Sequence, residues 1–104
     1  MVKALYPGTF DPVHNGHVDI VSRSARLFEK VYVGIYEQPE KTALFSTQDR
    51  VSMFKESVEH LPNVEVQSFR GLAVNHAQKV GAMFILRGLR AGFDFRSEER
   101  RVGK

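Results

Sequence analysis

Residues 6–17 read Tyr-Pro-Gly-Thr-Phe-Asp-Pro-Val-His-Asn-Gly-His. They join an apolar run, Val2 to Tyr6, to a segment with helical spacing. Gly8 permits a sharp turn and lets a ligand approach the backbone closely. Gly16 falls at the expected helix start, where unpaired N–H groups and the helix dipole favour an anion. His17, on the first turn, offers an imidazole N–H to a phosphate oxygen, and Thr9 adds a hydroxyl. These residues describe a phosphate cradle, without the Lys-Ser/Thr ending of a P-loop or the G-x-G-x-x-G of a dinucleotide site. Two other readings stay open. The glycines can serve only to shape a strand-to-helix turn, or Asp11, His14 and His17 can bind zinc, although their spacing crosses an irregular loop.

The surrounding elements decide where such a cradle sits. Val2 to Tyr6 has strand length, and Val18, Val21, Ala25 and Phe28 place a helix over 16–29. Residues 31–36, Val-Tyr-Val-Gly-Ile-Tyr, read as a buried strand, and 37–45 as a loop. Ser46 with Asp49 resembles a capping box ahead of a helix over 47–60. Pro62-Asn63 is a break, 64–69 alternates as a strand, and 72–80 is a short helix stopped by Gly81. Residues 83–87 form a fourth strand. The order βαβαβαβ predicts a parallel sheet covered by helices on both faces. Ligands of such sheets bind beyond the carboxyl ends of the strands, where the cradle lies.

Composition narrows the class. The 104 residues suit one domain, with 42% hydrophobic and 26% charged residues. No apolar run is long enough for a membrane span, and no signal peptide is visible behind Met1. With no cysteine there is no thiolate nucleophile and no Cys-based zinc site, which is compatible with a reducing, cytoplasmic setting. The net charge is +3, of which residues 96–104 carry +2 (four basic, two acidic). The body is almost neutral, so no nucleic-acid footprint is expected. His60 and His76 are isolated and read as structural or solvated.

The stretch from Tyr6 to His17 resembles the signature of the phosphopantetheine adenylyltransferases. They belong to the nucleotidylyltransferases with a His/Thr-x-Gly-His motif, here His14-Asn15-Gly16-His17. Lys41 in the loop after the second strand, and Ile-Leu-Arg-Gly-Leu-Arg at 85–90, match further signatures. The resemblance covers residues 1–95. It implies a Rossmann-like, doubly wound parallel sheet in three αβα layers with strand order 3-2-1-4-5. It also implies transfer of AMP from ATP to 4′-phosphopantetheine, giving dephospho-coenzyme A and pyrophosphate.

By resemblance, His17 contacts the ATP phosphates and stabilises the transition state, with Lys41 and Arg90 as its catalytic partners. Thr9 contacts both substrates, and Phe10 contributes backbone contact with ATP. Gly88, Leu89 and Arg90 line the ATP phosphates, and Glu98 falls in register with an ATP-contacting glutamate. Arg87, Lys41 and Ala73 serve phosphopantetheine. Mg²⁺ would bridge the phosphates, with no protein ligand identified, and the family assembles as a cytoplasmic homo-hexamer. The alternatives are another superfamily enzyme, using for example nicotinamide mononucleotide, or a non-catalytic nucleotide-binding fragment.

The resemblance ends where the family continues with Glu-Tyr-Glu and roughly another half-domain. Here residues 96–104 read Arg-Ser-Glu-Glu-Arg-Arg-Val-Gly-Lys, a basic tail without apolar periodicity. The expectation is an incomplete fold, a tail that is disordered or weakly helical, and residues 83–87 exposed as an apolar sheet edge.

Overall fold

The computed structural model describes residues 2–37, 43–88 and 97–101. Strands and helices alternate as β1 (Lys3–Gly8), α1 (Asn15–Ala25), β2 (Lys30–Tyr36), α2 (Thr47–Val58), β3 (Val64–Phe69), α3 (Ala73–Val80) and β4 (Phe84–Gly88). A final strand, β5, runs over Ser97–Arg101. The sheet order is β3-β2-β1-β4-β5. The first four strands are mutually parallel, and β5 is antiparallel to β4.

The period-2 pattern of the strands divides the core. Ala4, Tyr6, Val33, Ile35 and Val66 face one way and pack with Ile20 and Val21 of α1 and Phe54 and Val58 of α2. Leu5 and Tyr32 face the other way, against Ala77 of α3 and Ala82. The three layers are therefore unequal, with two helices over one face and a short one over the other. Gly34 makes the thin side possible: a Cβ there would lie 3.1 Å from both Leu5 Cδ1 and Phe69 Cδ1.

Helix ends follow local chemistry where local groups cap them. Ser46 Oγ accepts the Asp49 N–H at 3.1 Å, starting α2. Gly81 closes α3 at φ 83°, in the left-handed region that glycine tolerates. The expected helix over 16–29 instead ends at Ala25. Its last residues leave the helical path, and the Glu29 N–H bonds the Val2 carbonyl at 2.8 Å, delivering the chain into β2. Asn63 braces this exit, donating to the Ala25 and Phe28 carbonyls at 2.8 and 3.1 Å.

Two expectations for the C-terminal region are corrected. The segment expected to be disordered or weakly helical contains β5, in register with β4 from Phe84–Arg101 to Gly88–Ser97. Consequently β4 is an interior strand, and the apolar edge expected at 83–87 is paired from Phe84 onward. The sheet is mixed rather than wholly parallel. The physical reason is that a strand can be recruited through backbone hydrogen bonds alone, without an apolar pattern in its sequence.

Phe54 is fully buried, with its ring 4.9 Å from that of Phe10. Phe54→Ala is expected to lower unfolding stability by about 3–5 kcal/mol, read from the urea midpoint. A loss below about 1 kcal/mol would show that this contact does not organise the core.

Candidate active site

The order β3-β2-β1-β4 places the topological switch point between β1 and β4. Among the described residues these strands pair at Ala4–Phe84 and Leu5–Ile85, whereas β1 and β2 stay paired over all six residues from Lys3 to Gly8. The pairing of β1 with β4 thus stops before their carboxyl ends, where a crevice is expected in sheets of this kind. Thr9 and Phe10 follow β1, while Arg87 and Gly88 end β4.

Phe10 is the pivot of the β1–α1 loop. Its φ is +48°, a region that costs a bulky residue conformational energy. Its ring is nonetheless buried, edge-on to Tyr6 at 5.1 Å, Phe54 at 4.9 Å and His17 at 4.8 Å. Gly8 clears the space: a Cβ there would lie 2.8 Å from Phe10 Cζ. Burial also pushes the Tyr6 phenol up to about 12.

The α1 start is built from two histidines. His14 is the N-cap, and its Nδ1 accepts the Gly16 N–H at 3.1 Å. His17 Nδ1 accepts the His14 N–H, also at 3.1 Å, completing a reciprocal capping box. The two rings stack with centroids 3.7 Å apart. A Cβ on Gly16 would lie 2.9 Å from His14 Cε1, so the glycine is needed for the ring to fold back. Because each Nδ1 accepts, the neutral rings carry their protons on Nε2. Burial, and secondarily the charge of His14, lowers the His17 pKa to about 4. His17 is thus a neutral N–H donor at the positive end of the α1 dipole, where the Gly16, His17 and Val18 N–H groups are already bonded to His14.

The glycines of residues 6–17 therefore act mainly by accommodating the rings of Phe10 and His14. The zinc reading is set aside for the same stretch. Asp11 accepts the N–H groups of Leu44 (2.6 Å) and Phe45 (2.9 Å), one on each oxygen. Among the described residues no group of three His, Cys, Asp or Glu side chains is placed to hold a metal ion.

The described ones among the remaining expected site residues lie along the same carboxyl edge. Thr9 is exposed, Arg87 is exposed on β4, and Ala73 opens α3 after β3. Glu98 stands opposite Arg87 in the β4–β5 ladder. Lys41, Leu89 and Arg90 lie outside the described residues. His76 is structural, stacked on Phe69 at 5.0 Å with Nε2 2.8 Å from Gln67 Oε1; burial, then Lys79, lowers its pKa.

Sequence reasoning missed Arg50, which is 1% exposed. Its Nε donates to the Phe45 carbonyl at 3.1 Å, and its Nη1 to the carbonyls of Thr9 (2.9 Å) and Tyr36 (3.1 Å). Nη2 donates to Thr47 Oγ1 at 3.0 Å. No carboxylate forms a salt bridge with it among the described residues. A signal existed: Arg50, Phe54 and Val58 are spaced by four on the buried stripe of α2. A charge on such a stripe needs a reason.

Fold and site define an α/β protein whose crevice opens at a switch point, with an anion-favouring helix start on one wall. Residues 5–103 match the cytidylyltransferase-like family model, and the chain belongs to that family. It is 54% identical over 95 residues to a phosphopantetheine adenylyltransferase of Nostoc punctiforme, covering 91% of this chain and 52% of that protein. The enzyme of the same name from Thermomicrobium roseum is 54% identical over 99 residues, covering 92% of this chain and 59% of that protein. The chain thus spans little more than half the length of these relatives. Two solved structures share the fold. A lipopolysaccharide core biosynthesis protein from Thermoplasma volcanium has a TM-score of 0.61 at 19% identity, covering 82% of this chain and 72% of that one. A bifunctional NMN adenylyltransferase/ADP ribose pyrophosphatase from Francisella tularensis, complexed with AMP and a manganese ion, has a TM-score of 0.58 at 21% identity, covering 75% of this chain and 25% of that one.

The depressed His17 pKa has a signed consequence. Between the folded value near 4 and the ordinary 6.5, the unfolded chain binds the extra proton. The stability that the neutral ring contributes is complete above that window and is lost as the pH falls through it. An NMR titration is expected to show His17 uncharged down to near pH 4, with Nδ1 unprotonated. A midpoint near 6.5 would refute the assignment.

Proposed function

We propose that the protein transfers the adenylyl group of ATP to 4′-phosphopantetheine, releasing pyrophosphate and forming dephospho-coenzyme A. A phosphate oxygen of the acceptor attacks the α-phosphorus in line, and the bond to the β-phosphate oxygen breaks. The acceptor is already anionic, so no protein nucleophile is required. The barrier lies in bringing two polyanions together and stabilising charge on the leaving pyrophosphate.

One observation carries this reading: the neutral His17, with Nδ1 taken up by a backbone N–H, keeps its proton on Nε2 at the positive end of the α1 dipole. A neutral donor avoids the cost of a desolvated imidazolium before substrate arrives and can gain charge as the phosphates approach. In this reading Thr9 and the Phe10 backbone bound the nucleotide, and Arg87 and Ala73 bound the pantetheine phosphate and arm. Lys41 and Arg90 neutralise the transferring group, with Gly88, Leu89 and Glu98 completing the ATP site. Family membership and the relatives' names support the chemistry. Magnesium enters as part of the nucleotide substrate, held by its phosphates. The same resemblance underlies our assignment of a cytoplasmic homo-hexamer.

The test is pyrophosphate release from ATP, dependent on 4′-phosphopantetheine. His17→Ala is expected to lower kcat by about 100- to 1,000-fold, the size found for removing one preorganised donor. Release supported equally by nicotinamide mononucleotide would reassign the acceptor. A wild-type chain that binds ATP in calorimetry without turnover would leave a nucleotide-binding module and sink the proposed reaction.

A further inference from the structure

Segment 43–47 runs past the β1–α1 loop, yet apolar burial does not fix it there. Leu44 is 78% exposed and Phe45 is 40% exposed. Polar bonds hold it instead, across 33 and 34 residues of sequence in the case of Asp11. The Phe45 residue is gripped at both ends, its N–H by Asp11 and its carbonyl by Arg50. Arg50 simultaneously holds the Thr9 carbonyl in the β1–α1 loop and the Tyr36 carbonyl at the end of β2. Three chain segments thus converge on one guanidinium, and one carboxylate closes the arrangement from the side of the β1–α1 loop.

Arg50 is a buried guanidinium whose hydrogen bonds, among the described residues, go to carbonyls and a hydroxyl, and it carries a desolvation cost that an apolar residue on this helix stripe would avoid. Its fork geometry offers something an apolar residue cannot: fixed distances among several backbone oxygens. Asp11 is equally specific, since its two oxygens take successive N–H groups.

The geometry points to a positioning role for both residues: Asp11 and Arg50 latch the segment that follows Lys41 to the loop that carries Thr9 and Phe10. Through Phe10 the latch also reaches the His17 ring. The latch thereby sets the position of Thr9 and Phe10 against the chain that leads into α2. Its kinetic consequence rests on the adenylyl-transfer reading; its structural consequence does not.

The experiment measures amide hydrogen exchange and steady-state kinetics on the same variants, Asp11→Asn and Arg50→Lys. Asp11→Asn turns one acceptor oxygen into a donor facing an N–H, and Arg50→Lys keeps the charge without the fork. In Asp11→Asn the Leu44 and Phe45 amides are expected to exchange about tenfold faster or more, as for loss of a charge-assisted bond. In both variants kcat is expected to fall about 10- to 100-fold, the scale of a small misplacement, with KM for ATP changed less than about twofold. A melting midpoint near that of the parent separates this outcome from unfolding, and Arg50→Lys carries the kinetic test if Asp11→Asn does not fold. Unchanged exchange at Leu44 and Phe45 would overturn the latch even if turnover fell. Faster exchange with unchanged kcat would overturn its positioning role. If the parent chain releases no pyrophosphate, the proposed reaction fails, while the exchange data still decide the latch.

Discussion

The two-residue pairing of β1 with β4 is the constraint on which the site depends. A parallel sheet whose chain order reverses at β1 sends its crossovers to different faces. The chain on either side of the reversal leaves without filling the space at the strand ends. In this protein the switch point coincides with the place where the β1–β4 ladder stops. Everything chemically notable stands around that place: the Phe10 pivot, the α1 start and the end of β4 with Arg87.

The α1 start shows how packing and electrostatics are joined. Two imidazoles satisfy backbone N–H groups that a helix start otherwise leaves to solvent, ligand or other caps. In doing so each imidazole gives up Nδ1 and keeps its proton on Nε2. Burial against Phe10 then keeps His17 neutral, while the capped helix N-terminus supplies the positive end of a dipole. The Phe10 ring, held in an unfavourable backbone region by its aromatic neighbours, is the mechanical link between this donor and the core under α2.

Much of the architecture was legible because its causes are local. The alternation of periods marked all four parallel strands and all three helices. Ser46 and Gly81 marked helix ends through groups within a few residues of each other. The end of α1 was not legible, since it is set by the bond from Glu29 to Val2. Strand β5 was not legible either, because Ser97–Arg101 has no apolar pattern and pairs through its backbone. Within the candidate site, His17 and Thr9 were read from residue type and position, and Phe10 from the family resemblance. The tautomer of His17 and the purposes of Gly8 and Gly16 required the neighbours of each atom. Arg50 could have been read from the stripe it shares with Phe54 and Val58, had its charge been weighed against its position.

The sequence by itself determined the alternating elements, the helix caps made by near neighbours, and the glycine- and histidine-rich junction where an anion can be held. Those features depend on residue type and short spacing, and they hold for any chain that folds at all. Only the tertiary structure decided which groups face each other across the crevice, which imidazole nitrogen keeps its proton, and that Arg50 and Asp11 join segments far apart in sequence. Contacts of that kind depend on distances set when the sheet closes and the helices pack on it. No local pattern encodes them.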